Sequence, residues 1–521
     1  MALAVLAVFL AGLAAGCGGE KISSFTYVES SDPTSIDPAL ADESVGINIV
    51  RYMFDGLVAY DSASGKVKPA VAESWDVSPD ATVFTFHLRK GVKFTNGREV
   101  KAGDFVYAWT RALDPETKSA MASSILEPVK GALAVADGEA RTIEGVKAVD
   151  DYTLEVTLEF PLAEFVTFLG HPVSAPVPQE EVEKAGSGAG FSEAPIGNGP
   201  FRLKERAANE YVKLEKNPDY YGDAASVDEV TVKIIPNPAT AVEELKAGNV
   251  DAVKQIPPGQ TGALSGDSSV RVFEGQVNAL GFLAMNLETE PWKNNDKLRQ
   301  ALNWAVDRET IAAKVLQGQS QPADGIVPAA MPGRQSEAMP YRFDQARAKA
   351  LLAEAGYPDG NGLPPIKLVY RMEGSAADIA QAVQANLLAI GVKAEIEGLE
   401  SEMFLDQMQG GQLGFFYIRW QADYISMDTF LYPLFQSEQP QNVFKYANPE
   451  VDALLDKARS SLDENDRFKA YNDAERMILA DAPLVPVDFA QDVMVYSPRV
   501  KTFVHTSLGD IALSEIEMSD G

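Results

Sequence analysis

Cysteine and histidine are scarce in this chain of 521 residues, which contains one cysteine and three histidines. A single thiol excludes a disulfide within the chain, so the fold must rest on the burial of apolar side chains. The histidines, His87, His171 and His505, show no spacing that is typical of a metal site. We therefore predict neither a bound metal nor a cofactor.

Several sequence patterns of enzymes are also absent. The chain has no Gly-x-x-x-x-Gly-Lys-Ser/Thr loop for nucleotide phosphates, no Gly-x-Ser-x-Gly elbow and no His-Glu-x-x-His helix. We predict that the protein is not an enzyme. A secreted hydrolase that works through carboxylates is the alternative, since Asp and Glu are abundant.

Basic residues are in the minority, with 45 Lys and Arg against 75 Asp and Glu and a net charge of −30. Nucleic acids and anionic lipid head groups repel such a chain, so we expect no nucleic-acid partner. Beyond the first residues, no stretch approaches the 18 apolar residues that a membrane span needs. The remaining chain is long enough for two or three domains with cores of their own.

An apolar leader ends at the single cysteine, Cys17. The leader is too short for a membrane span and ends in small residues, as a cleaved export signal does. Ala14-Ala15-Gly16-Cys17 resembles the bacterial lipoprotein box, although Leu13 lies one position earlier than usual. We expect an acylated Cys17 that anchors the chain to the cell membrane, facing the periplasm or the cell exterior; the alternative is a chance cysteine in an apolar tail. Because no Lys or Arg precedes Cys17, we expect the natural start to lie upstream.

Strands and helices alternate along the rest of the chain. Residues 83–88 and 153–159 alternate apolar and polar side chains, which predicts half-buried antiparallel strands.

Residues 344–396 predict a unit of an α/β domain. Asp344 can cap a helix that ends near Gly356. A helix over 379–390 then separates strands at 368–370 and 392–396. Such an order favours parallel pairing of the two strands.

A series of motifs resembles the family 5 extracellular solute-binding proteins, the peptide-binding receptors of ATP-driven importers. The resemblance runs from about residue 25 to the C-terminus. The motifs, in chain order, are SIDP (35–38), FDGL (54–57), AESWDVSPD (72–80), FHLRKGVKF (86–94), GNGPF (197–201), NPDYY (217–221), GNVD (248–251), RQALNWAVDR (299–308), LLAEAGY (351–357), WQADY (420–424) and PLVPV (483–487).

The resemblance implies a two-lobed α/β fold of the periplasmic-binding-protein kind (type II, cluster C), with a hinge and an additional inserted subdomain. Lobe I is then assembled from separated segments. The expected division is a signal peptide (1–17), lobe I (18–54), the inserted subdomain (55–180), lobe I again (181–277), lobe II (278–487) and a C-terminal segment of lobe I (488–521).

The resemblance also implies a binding site around Trp420-Gln421-Ala422-Asp423. In the family's peptide receptors this Asp meets the α-ammonium of the peptide, and the strand before it pairs with the peptide backbone. Main-chain pairing gives affinity without reading side chains. The alternative is that Trp420 is a core residue and Asp423 caps a helix near Met427. Further candidate ligand-binding residues are Arg419 beside the motif, Ala41, Asp42, Glu43 and Ser44 on the other lobe, and Phe282 as part of an apolar wall.

Departures from the family pattern leave the ligand open. Tyr417 stands where the oligopeptide receptor has Arg, and Ala284 stands where it has Glu. An oligosaccharide or a metal chelate is the alternative ligand. Sugar sites need several exposed aromatic side chains, and among the tryptophans only Trp420 lies outside framework-like stretches, which favours a peptide. The expected partners are a permease and an ATPase on separate chains, and we expect the protein to be a monomer.

Overall fold

The computed structural model describes residues 23–62, 64–186, 190–335, 339–506 and 508–519. Within these ranges the strands are β1 (Ser24–Glu29), β2 (Val58–Tyr60), β3 (Val67–Pro69), β4 (Ala72–Val77), β5 (Val83–Leu88), β6 (Val146–Asp150), β7 (Thr153–Thr157), β8 (Phe201–Ala207), β9 (Tyr211–Lys216), β10 (Glu229–Ile234), β11 (Ala252–Val253), β12 (Arg271–Met285), β13 (Ser320–Pro322), β14 (Ile366–Arg371), β15 (Ala394–Leu399), β16 (Phe415–Gln421), β17 (Leu484–Tyr496), β18 (Val500–Thr502) and β19 (Glu517–Met518).

Helices alternate with these strands along the chain. The α-helices are α1 (Ser44–Met53), α2 (Ala102–Leu113), α3 (Ala122–Leu126), α4 (Ala132–Ala136), α5 (Phe165–Phe168), α6 (Gln179–Ala185), α7 (Gly190–Glu193), α8 (Pro238–Lys246), α9 (Thr261–Ser265), α10 (Asp296–Ala305), α11 (Arg308–Thr310), α12 (Gln345–Glu354), α13 (Ala376–Ala389), α14 (Ser401–Gln409), α15 (Asp428–Phe435), α16 (Pro449–Ser460) and α17 (Glu464–Asp481). A π-helical turn covers Ile311–Val315, and 3₁₀ turns cover Pro172–Ser174, Pro358–Gly360 and Leu513–Glu515. Nowhere in the described ranges is a helix both long enough and apolar enough to cross a bilayer.

The local predictions are confirmed where the pattern was clearest. The alternating segments form β5 and β7, which pair antiparallel. The Asp344 carboxylate caps α12 by accepting the backbone N–H groups of Ala346 and Arg347, each at 2.9 Å. β14 and β15 pair in parallel on either side of α13 in the chain.

One predicted boundary was wrong. β15 begins at Ala394, although the sequence predicted a strand from residue 392. Gly391 has a φ of 91°, and the N–H of Val392 donates to the carbonyl of Leu387 at 3.0 Å. Residues 391 and 392 therefore close the end of α13, where they satisfy carbonyls that the helix leaves free.

A large mixed sheet runs through the molecule in the order β15-β14-β16-β12-β17-β11-β1-β10-β9-β8, with β13 on β17. The long strands β12 and β17 pair with each other from Arg271 opposite Tyr496 to Ala284 opposite Leu484. One end of this pair joins β11 and β1 of lobe I, and the other end joins β16 of lobe II. β12 and β17 are thus common to both halves of the large sheet, and their pairing shifts register between Gln276 and Leu280.

A separate antiparallel sheet, β4-β5-β7-β6, packs against α2 within the segment 55–180. Trp109 of α2 is buried, and its indole N–H donates to the Ser174 carbonyl at 2.8 Å. The expected division of the chain at residues 54, 180, 277 and 487 stays a prediction.

One buried cluster joins the separate sheet to strands of the large sheet, as Phe84 of β5 and Phe25 of β1 show. Residues 277–285 of β12 are all buried, which is typical of a central strand that has helices on both faces. Each fully buried large apolar side chain, such as Phe25 in lobe I or Phe282 in lobe II, contributes about 1.5–3 kcal/mol. Burial of this kind stabilises the described part of the chain without cross-links.

Candidate ligand-binding site

The outer edge of β16 is free over residues 418–421. β12 pairs with β16 along its whole length, from Met285 opposite Phe415 to Ala279 opposite Gln421. On the other edge, β14 pairs only with Phe416 and Tyr417. Within the described residues, no strand pairs with that edge beyond Tyr417. Its backbone groups can therefore pair with an extended ligand.

Asp423 lies two residues beyond the end of β16 and is half-buried. Burial raises the pKa of its carboxyl group to about 6. Across the described ranges, no cationic side chain forms an ion pair with Asp423 and no group donates a hydrogen bond to it. The nearby titratable groups are the phenols of Tyr60 and Tyr424. A carboxylate in this position is costly to ionise unless a ligand supplies a cation.

The alternative role of Asp423 as a helix cap does not fit the structure. α15 begins at Asp428, with Met427 in the N-cap position and no side-chain cap. Trp420 is half-buried, and its indole N–H donates to the Thr429 carbonyl at 2.8 Å. That hydrogen bond fixes the ring against the start of α15, beside the free strand edge.

Arg419 is already paired. Its Nη2 lies 2.7 Å from Oδ2 of Asp488, a fully buried carboxylate, and 3.3 Å from the Tyr417 hydroxyl. Gly281, opposite Arg419 in β12, leaves room for this cluster, because a Cβ there would lie 2.3 Å from Asp488 Oδ1. A ligand that reaches Arg419 therefore meets a largely neutralised guanidinium group, and its ligand-binding role stays a prediction.

A cavity of about 630 Å³ opens on the face of β16 that carries Ile418 and Trp420. Most of its wall is apolar. Leu405, Met408 and Val443 are half-buried at its surface, whereas Phe282, Phe404 and Leu434 are fully buried behind it, so contact of Phe282 with a ligand stays a prediction. The volume lies within the usual range for a small-molecule site.

A second cavity, of about 340 Å³, lies at the Tyr417 end of the free edge. Arg371 and Arg419 line it, together with the backbone at the start of α13. The free edge thus has the Asp423 carboxylate at one end and two guanidinium groups at the other, but both guanidinium groups already have carboxylate partners, Glu373 for Arg371 and Asp488 for Arg419.

The predicted lobe I residues lie at the start of α1. Glu43 caps this helix, since its carboxylate accepts the N–H groups of Val45 at 2.7 Å and Gly46 at 2.8 Å. Asp42 and Ser44 are exposed, whereas Ala41 is buried. Among the described residues, no hydrogen bond or ion pair joins residues 41–44 to residues 418–423. Their contact with a ligand stays a prediction, as does the role of Gln421 and Ala422.

The histidines have structural partners. Nε2 of His87 lies 2.8 Å from Asp76, and Nε2 of His505 lies 2.9 Å from Asp492. His171 accepts the N–H of Val173 at 3.2 Å, and burial lowers its pKa to about 3. A search of the described ranges finds no cluster of His, Cys, Asp and Glu placed to hold a metal ion. Cys17 lies outside the described residues.

Sequence reasoning missed the groups that surround the site. Tyr60 and Asp488 carry no local signal, because each approaches the site only through the tertiary fold. Asp488 is 69 residues from Arg419, and Tyr60 is 365 residues from its hydrogen-bond partner Ile425. The sequence contained one usable hint, since Tyr424 follows Asp423 directly in the WQADY motif.

Comparison with known proteins gives consistent matches over nearly the whole chain. The family model of the bacterial extracellular solute-binding proteins, family 5, matches residues 66–442. The probable deoxycholate-binding periplasmic protein YgiS of Escherichia coli is 33% identical over 92% of this chain and 90% of its own length. The periplasmic oligopeptide-binding protein OppA of Haemophilus influenzae is 33% identical over 91% of this chain and 89% of its own length.

A solved structure matches equally well. The unliganded open form of the periplasmic murein tripeptide-binding protein MppA has a TM-score of 0.84 and 28% sequence identity. The match covers 96% of this chain and 98% of that protein. It confirms the predicted fold of the periplasmic-binding-protein kind.

Proposed function

The chain belongs to family 5 of the bacterial extracellular solute-binding proteins, the binding components of ABC importers, and we propose that it captures peptides between its two lobes. Members of this family are transport proteins and not enzymes, as the sequence predicted. The proposal concerns the ligand and the way in which it is held.

The Asp423 carboxylate, which has no partner among the described residues and follows a free strand edge, carries the proposal. A peptide offers an α-ammonium for Asp423 and a backbone for residues 418–421 of β16. Its side chains then lie across the cavity beside Trp420, whose apolar wall suits a large apolar side chain. An oligosaccharide offers neither a cation nor a strand, and Trp420 is the only tryptophan that lines this cavity.

One relative suggests a different ligand. YgiS is described as a probable deoxycholate-binding protein, and the cavity of about 630 Å³ has the apolar wall that such a ligand needs. A bile acid is an anion, however, and would place no positive charge beside Asp423. The carboxylate therefore favours the peptide.

The pH dependence of binding tests the proposal. Burial raises the pKa of Asp423 to about 6 in the ligand-free protein, and the ammonium binds the ionised form. We expect the affinity for an unblocked peptide, measured by titration calorimetry, to fall towards tenfold per pH unit below that value. It should fall again above pH ~8, where the α-ammonium itself loses its proton.

Two controls accompany this measurement. Asp423→Asn should abolish the acid limb of the affinity profile, whereas an N-acetylated peptide should lose the alkaline limb. An acid limb that survives in Asp423→Asn would contradict the assignment. Tighter binding of a neutral oligosaccharide or of deoxycholate than of any peptide would replace the peptide as the ligand.

We further propose that the protein delivers its ligand to a permease driven by a separate ATPase chain, and that it acts as a monomer. The order of motifs in the importer family supports the delivery role. The leader that ends at Cys17 supports attachment to the membrane through lipid, for which two or more acyl chains are needed.

Replacing the thiol tests this attachment. We expect Cys17→Ser to abolish lipid modification, because the hydroxyl cannot replace the acylated sulfur, and to leave the protein uncleaved or shed from the membrane. Mass spectrometry of the N-terminal peptide and fractionation of the cells measure both effects. A free, unmodified Cys17 in mature protein from wild-type membranes would contradict the prediction.

A further inference from the structure

The segment 55–180 contacts lobe II directly beside Asp423. The ring of Phe168 stacks on that of Tyr424, with 3.8 Å between the ring centroids. The N–H of Ile425 donates to the Tyr60 hydroxyl at 3.3 Å, and the N–H of Ala163 donates to the carbonyl of Arg459 at 2.6 Å. These contacts join parts of the chain that must separate when the lobes move about β12 and β17.

Five charged or phenolic side chains lie in this interface, and we call them the Glu164 cluster: Glu164, Asp428, Arg459, Arg467 and Tyr471. Glu164 is 5% exposed, and Asp428 is fully buried. The hydroxyl oxygen of Tyr471 lies 2.6 Å from Glu164 Oε1 and 2.8 Å from Asp428 Oδ1. One phenol group therefore bridges two buried carboxyl groups across the interface.

The surroundings of Asp428 decide where the Tyr471 proton goes. Asp428 Oδ1 accepts from Nε of Arg459 at 2.8 Å, and Oδ2 accepts from Nη2 of Arg459 at 2.7 Å and from the Tyr424 hydroxyl at 2.8 Å. With Tyr471 as the fourth donor, the two carboxylate oxygens have all the hydrogen bonds that they can accept. The bidentate Arg459 and the Tyr424 hydroxyl already make Asp428 an acceptor, so its contact with Tyr471 uses the phenol proton.

Glu164 has no comparable set of donors. Nε of Arg467 lies 3.4 Å from Oε2 and makes no hydrogen bond, and Ser426 supplies one weaker contact. The Tyr471 oxygen and Glu164 Oε1 are 2.6 Å apart, which is a hydrogen-bond distance. Because the Tyr471 proton is directed to Asp428, a second proton must lie between these two oxygens, and Glu164 is the group that can carry it. An ionised Glu164 would compete with Asp428 for the single phenol proton, whereas a protonated Glu164 would donate to the Tyr471 oxygen and leave that proton to Asp428.

We propose that the interface between the segment 55–180 and lobe II is proton-coupled, so that forming it takes up one proton on Glu164 and losing it releases that proton to solvent. The proposal does not depend on which ligand the protein binds. It makes the relative position of the lobes sensitive to the acidity outside the cell.

The electrostatic environment agrees with this direction. Burial and then the Asp428 carboxylate raise the pKa of Glu164, against the opposing effects of Arg467, Tyr471 and Ser426. The remaining titratable groups that face the cluster are Tyr60, Tyr424, Tyr432 and Asp456. When the interface opens, Glu164 meets water and its pKa returns towards about 4.3. The interface is therefore favoured at acid pH, and this contribution is lost as the pH rises through the raised pKa.

A pair of labels across the interface measures its population. Leu133 in the segment 55–180 and Leu388 in lobe II are exposed and can be replaced by cysteine, with Cys17→Ser so that only the introduced thiols react. The ligand-free protein is measured in an Asp423→Asn background, because burial also raises the pKa of Asp423. We expect the ratio of joined to separated lobes to fall by up to tenfold per pH unit as the pH rises.

Substitutions then identify the group that titrates. Glu164→Gln mimics the protonated acid and should hold the ratio at its acid value at every pH. Glu164→Ala should also give a flat profile, but with the lobes separated. Glu475→Gln is the matched control: burial raises the pKa of this carboxyl group too, yet it binds the N–H groups of Ile326 and Val327 within lobe II, so the pH dependence should persist. A Glu164→Gln variant that keeps the pH dependence, or a ratio that is flat or rises with pH in the parent, would overturn the proposal.

Discussion

Asp423→Ala should weaken the binding of an unblocked peptide by roughly 30-fold or more. The substitution leaves the peptide ammonium without its partner in a site that excludes much of the water, at a cost on the order of 2–5 kcal/mol. Each ~1.4 kcal/mol corresponds to a tenfold change in affinity, which gives the stated loss. Asp406→Ala is the control, because it removes the same charge from an exposed position on α14 of lobe II and should leave the affinity nearly unchanged.

Blocking the peptide N-terminus completes a double-mutant cycle. N-acetylation should weaken binding to the parent protein by a similar factor, yet add little to the loss in Asp423→Ala, because both changes delete one interaction. Trp420→Phe should show no such coupling to the terminus. Losses from mutation and acetylation that simply add would mean that the ammonium is held elsewhere.

Arg459→Ala should lower the free energy of unfolding by about 3–5 kcal/mol, since it leaves the fully buried Asp428 without its bidentate partner. The guanidinium also lies over the ring of Tyr432, 3.2 Å from its centroid, and that contact is lost as well. Denaturant unfolding of the ligand-free protein measures the effect. A loss of this size is a large fraction of the stability of an ordinary domain.

The matched control for this substitution is Arg476→Ala in α17. Arg476 forms an ion pair with Asp473 on the same lobe, but its side chain is 52% exposed. Exposed pairs contribute at most about 1 kcal/mol, so the variant should unfold almost as the parent does. Equal effects of the two substitutions would show that Asp428 does not need Arg459.

Much of the local structure could be predicted from the sequence because its causes are local. The strand β5 follows from alternation within six residues, and the start of α12 follows from a capping side chain next to the helix. The boundary of β15 could not be predicted in this way. Whether Val392 opens a strand or closes a helix is decided by a hydrogen bond to Leu387, which competes with the apolar pattern.

The binding site likewise has features that local sequence predicts and features that only the tertiary fold determines. Asp423 and the strand before it were identified through a motif. The motif does not show that Asp423 has no cationic partner in the described part of the chain, nor that β14 stops pairing at Tyr417. Both features depend on the tertiary fold, which places neither a cation beside Asp423 nor a strand beside residues 418–421 within the described part of the chain. Arg419 shows the opposite case, because a residue predicted to meet the ligand has a partner from β17, 69 residues further along the chain.

Pairing with the free edge of β16, as proposed, also limits which polypeptides can bind as ligands. Exposed strand edges let sheets join from one molecule to the next, and proteins normally cover them or add charge to them. Here Arg419 and Gln421 are exposed along the edge, and Tyr60 of the opposite segment reaches Ile425 just beyond it. A folded protein can expose a strand edge of its own, but its bulk keeps that edge out of so confined a place. If the ligands are peptides, the site therefore selects them first by conformation. Short, unfolded chains can enter, whereas folded proteins from the surroundings cannot.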